Sequence, residues 1–185
     1  LRNSTWLCSL SKTNDSLLMW SHYCYNHKGV CIGLDIDRVI KSVPPMFGTT
    51  YVEPLVLDVQ YKDIIERPNG YQYSKDIFSY QWRTKAKEWE YEQEVRLVIP
   101  NPSGLYASLT PQQTNQDKEF WDGREIRHYM PLKAECFESI YFGVNIEQEE
   151  KEKIVRYVRK KLNPQINLYQ MEIDDNAFRL RPIKI

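Results

Sequence analysis

Apolar residues along this chain come in short runs that alternate with polar ones and are punctuated by turn residues, which is the pattern of strands more than of long helices. Residues 5–10 (TWLCSL) read as a short strand. Asn14 or Asp15 then caps a predicted helix reaching about Asn26, and Gly29 sits where a left-handed C-terminal cap belongs. From 30 to 36, Val30, Ile32 and Leu34 alternate with Cys31, Gly33 and Asp35, the period of a strand. Pro44, Pro45 and Gly48 mark a loop, residues 55–61 (LVLDVQY) another strand, and Pro68-Asn69-Gly70 a turn. Residues 72–88 are expected to be helical, with Ile77, Phe78 and Trp82 on one side. A strand over 94–99 stops at Pro100.

The stretch 101–119 is polar and turn-rich, long for a structureless connection, and is expected to be a loop or flap insertion. Strands are predicted at 125–132 and 137–142, the latter ending at Gly143. A helix over 147–162 has Glu147, Glu149 and Glu150 at its start and Arg159, Lys160 and Lys161 at its end, as the macrodipole favours. Ile154, Val158 and Leu162 supply its buried stripe. Two strands, 167–173 and 177–184, complete the reading. It predicts an α+β fold, a strand-dominated single domain over 1–185 with two to three helices.

Composition narrows this only a little. Lysine plus arginine and aspartate plus glutamate are both 25, so global charge does not draw the chain to nucleic acid or to an anionic membrane. No apolar run approaches the twenty residues of a membrane span and no leader is evident, which points to a cytoplasmic protein that does not enter a membrane. The four cysteines (Cys8, Cys24, Cys31, Cys136) lack CxxC spacing and read as reduced thiols packed as small apolar residues. The chain opens at Leu1, directly into strand-like residues, and is expected to be a fragment or a processing product that lacks an N-terminal segment.

Candidate chemistry gathers in two places. LLMWSHYCYNHKGVCIGLDID (17–37) and KAKEWEYEQEVRLVIP (85–100) each set rare polar and aromatic residues beside an apolar run, so they are expected to form two walls of one site on a sheet. His22 and His27 are five apart, about 140° around a helix, so one regular helix cannot aim both at one metal, and no metal site is expected. Trp20, Tyr23, Cys24 and His27 share a helical stripe. In WEYEQEVRLVIP, strand alternation puts Glu92, Glu94 and Arg96 on one face, the two carboxylates about 7 Å apart. Tyr91, Val95 and Leu97 fall on the other. Charged residues on so apolar a strand are costly unless they do something.

The blocks resemble the bacterial family catalogued as domain of unknown function 2971. Met19, Trp20, His22, Tyr23, His27, Gly29, Cys31, Ile32 and Asp35 carry the first block, Lys85, Trp89, Tyr91, Glu92, Glu94 and Arg96 the second, and 140–143 (IYFG) a third. Leu34 stands where the family has phenylalanine. The resemblance covers roughly residues 5 to 145. Members begin with a further tyrosine-bearing strand and an Asn-Asp-Pro motif, which this chain does not contain.

The layout of strand, helix, strand, and later a strand opening on Glu-x-Glu is also similar to ADP-ribosyltransferase domains. That resemblance implies a split sheet and NAD as substrate. It implies Glu94 as the catalytic carboxylate, Glu92 as its accessory and His22 beside them. Trp20, Tyr23, His27, Lys85, Trp89 and Arg96 would bind the nucleotide. The acceptor, protein or nucleic acid, stays open, as does a role in bacterial antiviral defence or as a toxin. Two other readings stay open at the level of residues. One is a metal-independent RNase or phosphodiesterase using His22 or His27 with Arg96 or Lys85 on phosphate. The other is a non-catalytic module whose aromatic and acidic groove binds a ligand or partner.

Overall fold

The computed structural model describes residues 5–42, 54–65, 80–100 and 132–185. The expected loop at 44–48, the turn at 68–70, the 101–119 insertion, residues 125–131 and the first half of the 72–88 helix lie outside them. The fold is α+β, and the described residues form three sheets.

The first sheet has the order β1 (Thr5–Ser11), β6 (Glu94–Pro100), β3 (Leu55–Asp58), all antiparallel. The second runs β2 (Val30–Leu34), β7 (Phe137–Phe142), β8 (Asn167–Ile173), β9 (Leu180–Lys184). Only its β7–β8 pair is parallel, joined by α3 (Gln148–Tyr157) and a π-helical turn, Val158–Leu162. A parallel pair requires such a crossover. The predicted stripe works as expected, since Ile154, Val158 and Leu162 pack with Val155 over Ile140, Phe142, Ile166 and Leu168. The third sheet is the short parallel pair β4 (Gln60–Lys62) and β5 (Thr84–Ala86).

Several elements depart from expectation, each for a local reason. Helix α1 spans Leu17–Tyr23 and is capped by Ser16, whose side chain accepts from the Met19 amide. Asp15 is occupied instead by the Thr13 hydroxyl, and the Asn14 carbonyl accepts the Trp20 indole N–H at 2.7 Å. The helix stops well short of Asn26 because Tyr25, Asn26 and His27 all adopt left-handed backbone conformations, with φ of 47°, 53° and 65°. A second helix, α2 (Ile36–Ser42), was not anticipated. Asp35 starts it by accepting the Arg38 amide at 3.1 Å.

The expected strand 55–61 is broken at Val59, where the chain leaves the first sheet for the third. In place of a helix reaching residue 88, residues 80–83 are helical, 84–86 form β5, and Lys87–Glu92 form a 3-10 helix. The last hairpin matches 167–173, and its second strand begins at Leu180 rather than 177. All four cysteines are free, and Cys136 is buried with Val39 and Leu97.

Candidate functional site

Glu92 and Glu94 are the buried acids of the described residues, at 4% and 5% exposure. The backbone that presents them is not the regular strand that alternation predicted. Glu92 ends the 3-10 helix, Gln93 is left-handed (φ 44°), and Glu94 opens β6. The kink separates the two acids from strand spacing and turns both toward one cation. Their main chain is pinned on both sides: the Ser11 hydroxyl donates to the Glu92 carbonyl at 2.7 Å, and the Lys12 amide donates to Gln93 at 3.1 Å. The Glu94 amide donates to the Tyr61 hydroxyl at 2.7 Å, while the Val59 amide donates to the Glu94 carbonyl at 3.0 Å.

Lys85, from β5, is the shared cation. Its Nζ donates to Glu92 Oε2 and, at 2.9 Å, to Glu94 Oε2. Burial works against the Lys85 charge, but the hydrogen bonds to both carboxylates outweigh it and raise its pKa. Arg96 lies two residues along the same face of β6 and donates through Nε to Glu94 Oε1 at 2.7 Å. Its position is fixed by the Trp82 carbonyl, which accepts from the other side of the guanidinium at 3.0 Å. For Glu94, burial pushes the carboxyl pKa up, but hydrogen bonds from Arg96, Ser9 and Lys85 prevail and bring it down to about 2. Ser9 faces Arg96 across the β1–β6 ladder. Glu94 is thus a fixed negative charge, whereas Glu92 connects the network to the surface through Tyr23. The Tyr23 hydroxyl donates to Glu92 Oε1 at 2.7 Å, and that bond raises the phenol's pKa.

Outside the ion network lies a shelf of aromatic rings. Tyr23 is 60% exposed, Trp89 38%, and His22 is exposed between them. Neighbouring ring centroids lie at a near-constant interval: His22–Tyr23 6.4 Å, His22–Tyr91 6.2 Å, Trp89–Tyr91 6.1 Å. The Tyr91 hydroxyl and His22 Nδ1 are 3.2 Å apart. The Lys85 ammonium sits 5.0 Å from the centre of the Trp89 ring. One end of α1 and one 3-10 helix therefore meet over two buried carboxylates.

Of the residues picked out in the sequence, the structure gathers His22, Tyr23, Lys85, Trp89, Glu92, Glu94 and Arg96. It separates the other two. Trp20 is 2% exposed and packs with Met171 and Leu180, so its ring has no face left for a nucleotide. His27 lies in the left-handed turn, where its amide donates to the Trp20 carbonyl at 3.2 Å and its carbonyl accepts from the Asn145 amide at 2.9 Å. That places it against the end of β7, and no hydrogen bond or ring contact joins it to the acids. The helical stripe failed because the helix ends before its fourth member. Tyr61 and Ser9 escaped the sequence reading, since nothing local marks a tyrosine or serine as the partner of a strand distant in sequence.

Among the described residues no group of three or more His, Cys, Asp or Glu is arranged for a metal ion, and no helix is long and apolar enough to cross a membrane.

An α+β domain with a buried acid pair beneath an aromatic shelf is the class of protein that the fold and site define. Residues 19–97 match the model of a family described as "Protein of unknown function (DUF2971)", a span from α1 into β6 that contains the two acids, Lys85, Arg96 and the aromatic shelf. No curated protein and no solved structure matches the chain.

Proposed function

We propose that this cluster binds a nucleotide-type substrate and acts as an ADP-ribosyltransferase-like site, with NAD as the substrate and a nucleophilic protein or nucleic-acid acceptor. The observation that carries the reading is the juxtaposition of two buried, rigidly held glutamates with an exposed row of aromatic rings. Trp89 and Tyr91, tilted 35° from one another with centroids 6.1 Å apart, suit a planar base or a nicotinamide, which stacks on aromatic faces. Breaking the bond from nicotinamide to ribose builds positive charge on the sugar, and a carboxylate already fixed in place stabilises it without reorganising. Glu94 keeps its charge throughout the physiological range. Glu92, reached through Tyr23, is the acid closer to the shelf and is suited to orienting a ribose hydroxyl.

NAD consumption and label transfer by the full chain test this. Glu94→Gln keeps the shape and removes the charge, and should lower turnover by about a hundredfold or more, the usual scale for one electrostatic stabiliser. Glu92→Gln should be milder. Turnover unchanged in Glu94→Gln, with the fold intact, would remove Glu94 from the reaction.

A second reading is favoured by one specific observation. Glu92 and Glu94 are matched in charge by Lys85 and Arg96, so the network has no surplus negative charge to spend on an oxocarbenium ion. A module that binds a ligand on the shelf without turning it over fits this balance. It predicts ligand binding with no NAD consumption in any variant.

A further inference from the structure

The charges nearest the Trp89 ring are mostly paired. Lys85 is taken by Glu92 and Glu94, Arg96 by Glu94, and Lys87 by Asp63 at 3.4 Å. Glu88 and Glu90 remain. Both are exposed on the 3-10 helix on either side of Trp89, and neither carries an ion pair among the described residues. Along the 3-10 helix that carries Trp89, the charges without an ion pair among the described residues are therefore both negative, in a chain whose formal net charge is zero. A polyanionic nucleic-acid strand is repelled by such a rim, whereas cations gain twice, from the acids and from the electron-rich ring faces.

The molecule also displays how this face receives a cation. The Lys85 ammonium lies on two carboxylates and 5.0 Å from the Trp89 ring centre, with 23% of its side chain still exposed. Trp89 itself remains 38% exposed.

We infer that the Trp89–Tyr91–His22–Tyr23 shelf, with Glu88 and Glu90 on its rim, is a docking surface for a basic peptide segment whose lysine-type ammonium groups sit on the aromatic faces. The inference rests on reading the cluster as a ligand site, and it names the chemistry of the partner or acceptor presented there. A nucleic-acid acceptor is the alternative that the rim charge disfavours.

The experiment is fluorescence anisotropy with the full chain and three labelled probes: an oligolysine peptide, an oligoglutamate peptide and a short single-stranded oligodeoxynucleotide. Oligolysine should bind, more weakly as salt rises, and the other two should not. Trp89→Ala should weaken oligolysine about tenfold, with Trp89→Phe restoring part of the affinity. The double variant Glu88→Gln/Glu90→Gln should weaken it severalfold and flatten the salt dependence. Glu149→Gln/Glu150→Gln on α3 removes as much negative charge elsewhere and should change nothing. Melting temperatures check that each variant is folded.

Failure of oligolysine to bind, tighter binding of the oligonucleotide, or equal losses from the shelf and α3 pairs would each overturn the inference. Lysine-peptide binding without NAD consumption would sustain it and sink the transferase reading. NAD consumption without peptide binding would do the reverse.

Discussion

Two central strands, β6 and β7, show how differently this fold fills its interior. β7 lies between β2 and β8, and its inward residues Ile140 and Phe142 are enclosed by Ile166, Leu168 and Val158 from the crossover that follows it. β6 lies between β1 and β3, and from Val95 to Ile99 it is almost as apolar. Its first residue, however, is a glutamate at 5% exposure, with a second buried glutamate just before it. Apolar burial stabilises roughly in proportion to area, whereas a buried ion pair recovers its desolvation penalty only when every partner is in place. β7 is thus built for stability. The start of β6 is the place where a stable apolar alternative was available and four charged side chains stand instead.

The sharpest way to break this comparison is to damage each region by one side chain. Phe142→Ala should cost about 3–5 kcal/mol in urea denaturation, the scale for emptying a fully enclosed aromatic site. Lys85→Met keeps the length and the contact with Trp89 but leaves two buried carboxylates short of a cation, and should cost about 3 kcal/mol. The two losses differ in kind. Adding Glu92→Gln to Lys85→Met should recover part of the second loss, since it removes an uncompensated charge, while no nearby polar change repairs Phe142→Ala. If the double variant is less stable than Lys85→Met alone, the ionic account of this region is wrong.

Acid separates the regions as well. Glu94 has a folded pKa of about 2 against an ordinary 4.5. A lowered carboxylate pKa stabilises the fold above the ordinary value, and that contribution is lost as pH falls from about 4.5 toward 2. Glu94→Gln should remove this acid limb from the stability profile. The Phe142→Ala profile should keep it, shifted down as a whole.

How much of this the sequence disclosed follows the same division. Where apolar periodicity sets the structure it was legible: 137–142 and 167–173 appear as read, and the helix at 147–162 keeps its stripe although its last turn is π-helical. Where a single backbone torsion decides, it was not. Gln93 in the left-handed region turns a supposed strand face into a cradle around Lys85, and three consecutive left-handed residues end α1 before His27. No pattern of apolar spacing encodes those torsions, because tertiary contacts hold them. The acids, the lysine and the aromatic rings were nonetheless recognisable as a group, since burying them is expensive and clustering them has no use in a core. Tyr61 depends on the β4–β5 pair, whose two strands are too short to carry a period.

Gly143 connects the two regions and offers a smaller, more pointed test. A Cβ there would lie 2.1 Å from the His27 carbonyl oxygen and 3.0 Å from that of Gly29. Both obstacles are backbone, so no side chain can swing aside. Gly143→Ala should cost about 1–3 kcal/mol, the usual range for overpacking. It should act at a distance too, by moving the turn that ends α1 and so loosening Tyr23 and His22 over the acids. Loss of stability with oligolysine or NAD binding untouched would show that the shelf is positioned independently of β7.

The smallest expected effect isolates the one hydrogen bond between shelf and network. Tyr23→Phe removes the hydroxyl that donates to Glu92 and leaves the ring. Because Tyr23 is 60% exposed, water replaces much of the bond, and the cost should be about 0.5 kcal/mol. The bond has a spectroscopic signature even where its energy is slight. Glu92 holds the phenol above its ordinary pKa of 10. A raised pKa means that the contribution is complete below about pH 10 and fades as pH rises through the folded value. Ultraviolet titration should therefore show a late-ionising component that is lost in Tyr23→Phe and moved back toward pH 10 in Glu92→Gln. If Glu92→Gln leaves that late component in place, Tyr23 is not bound to Glu92 in solution, and the shelf is joined to the acid pair through Lys85 and Trp89 alone.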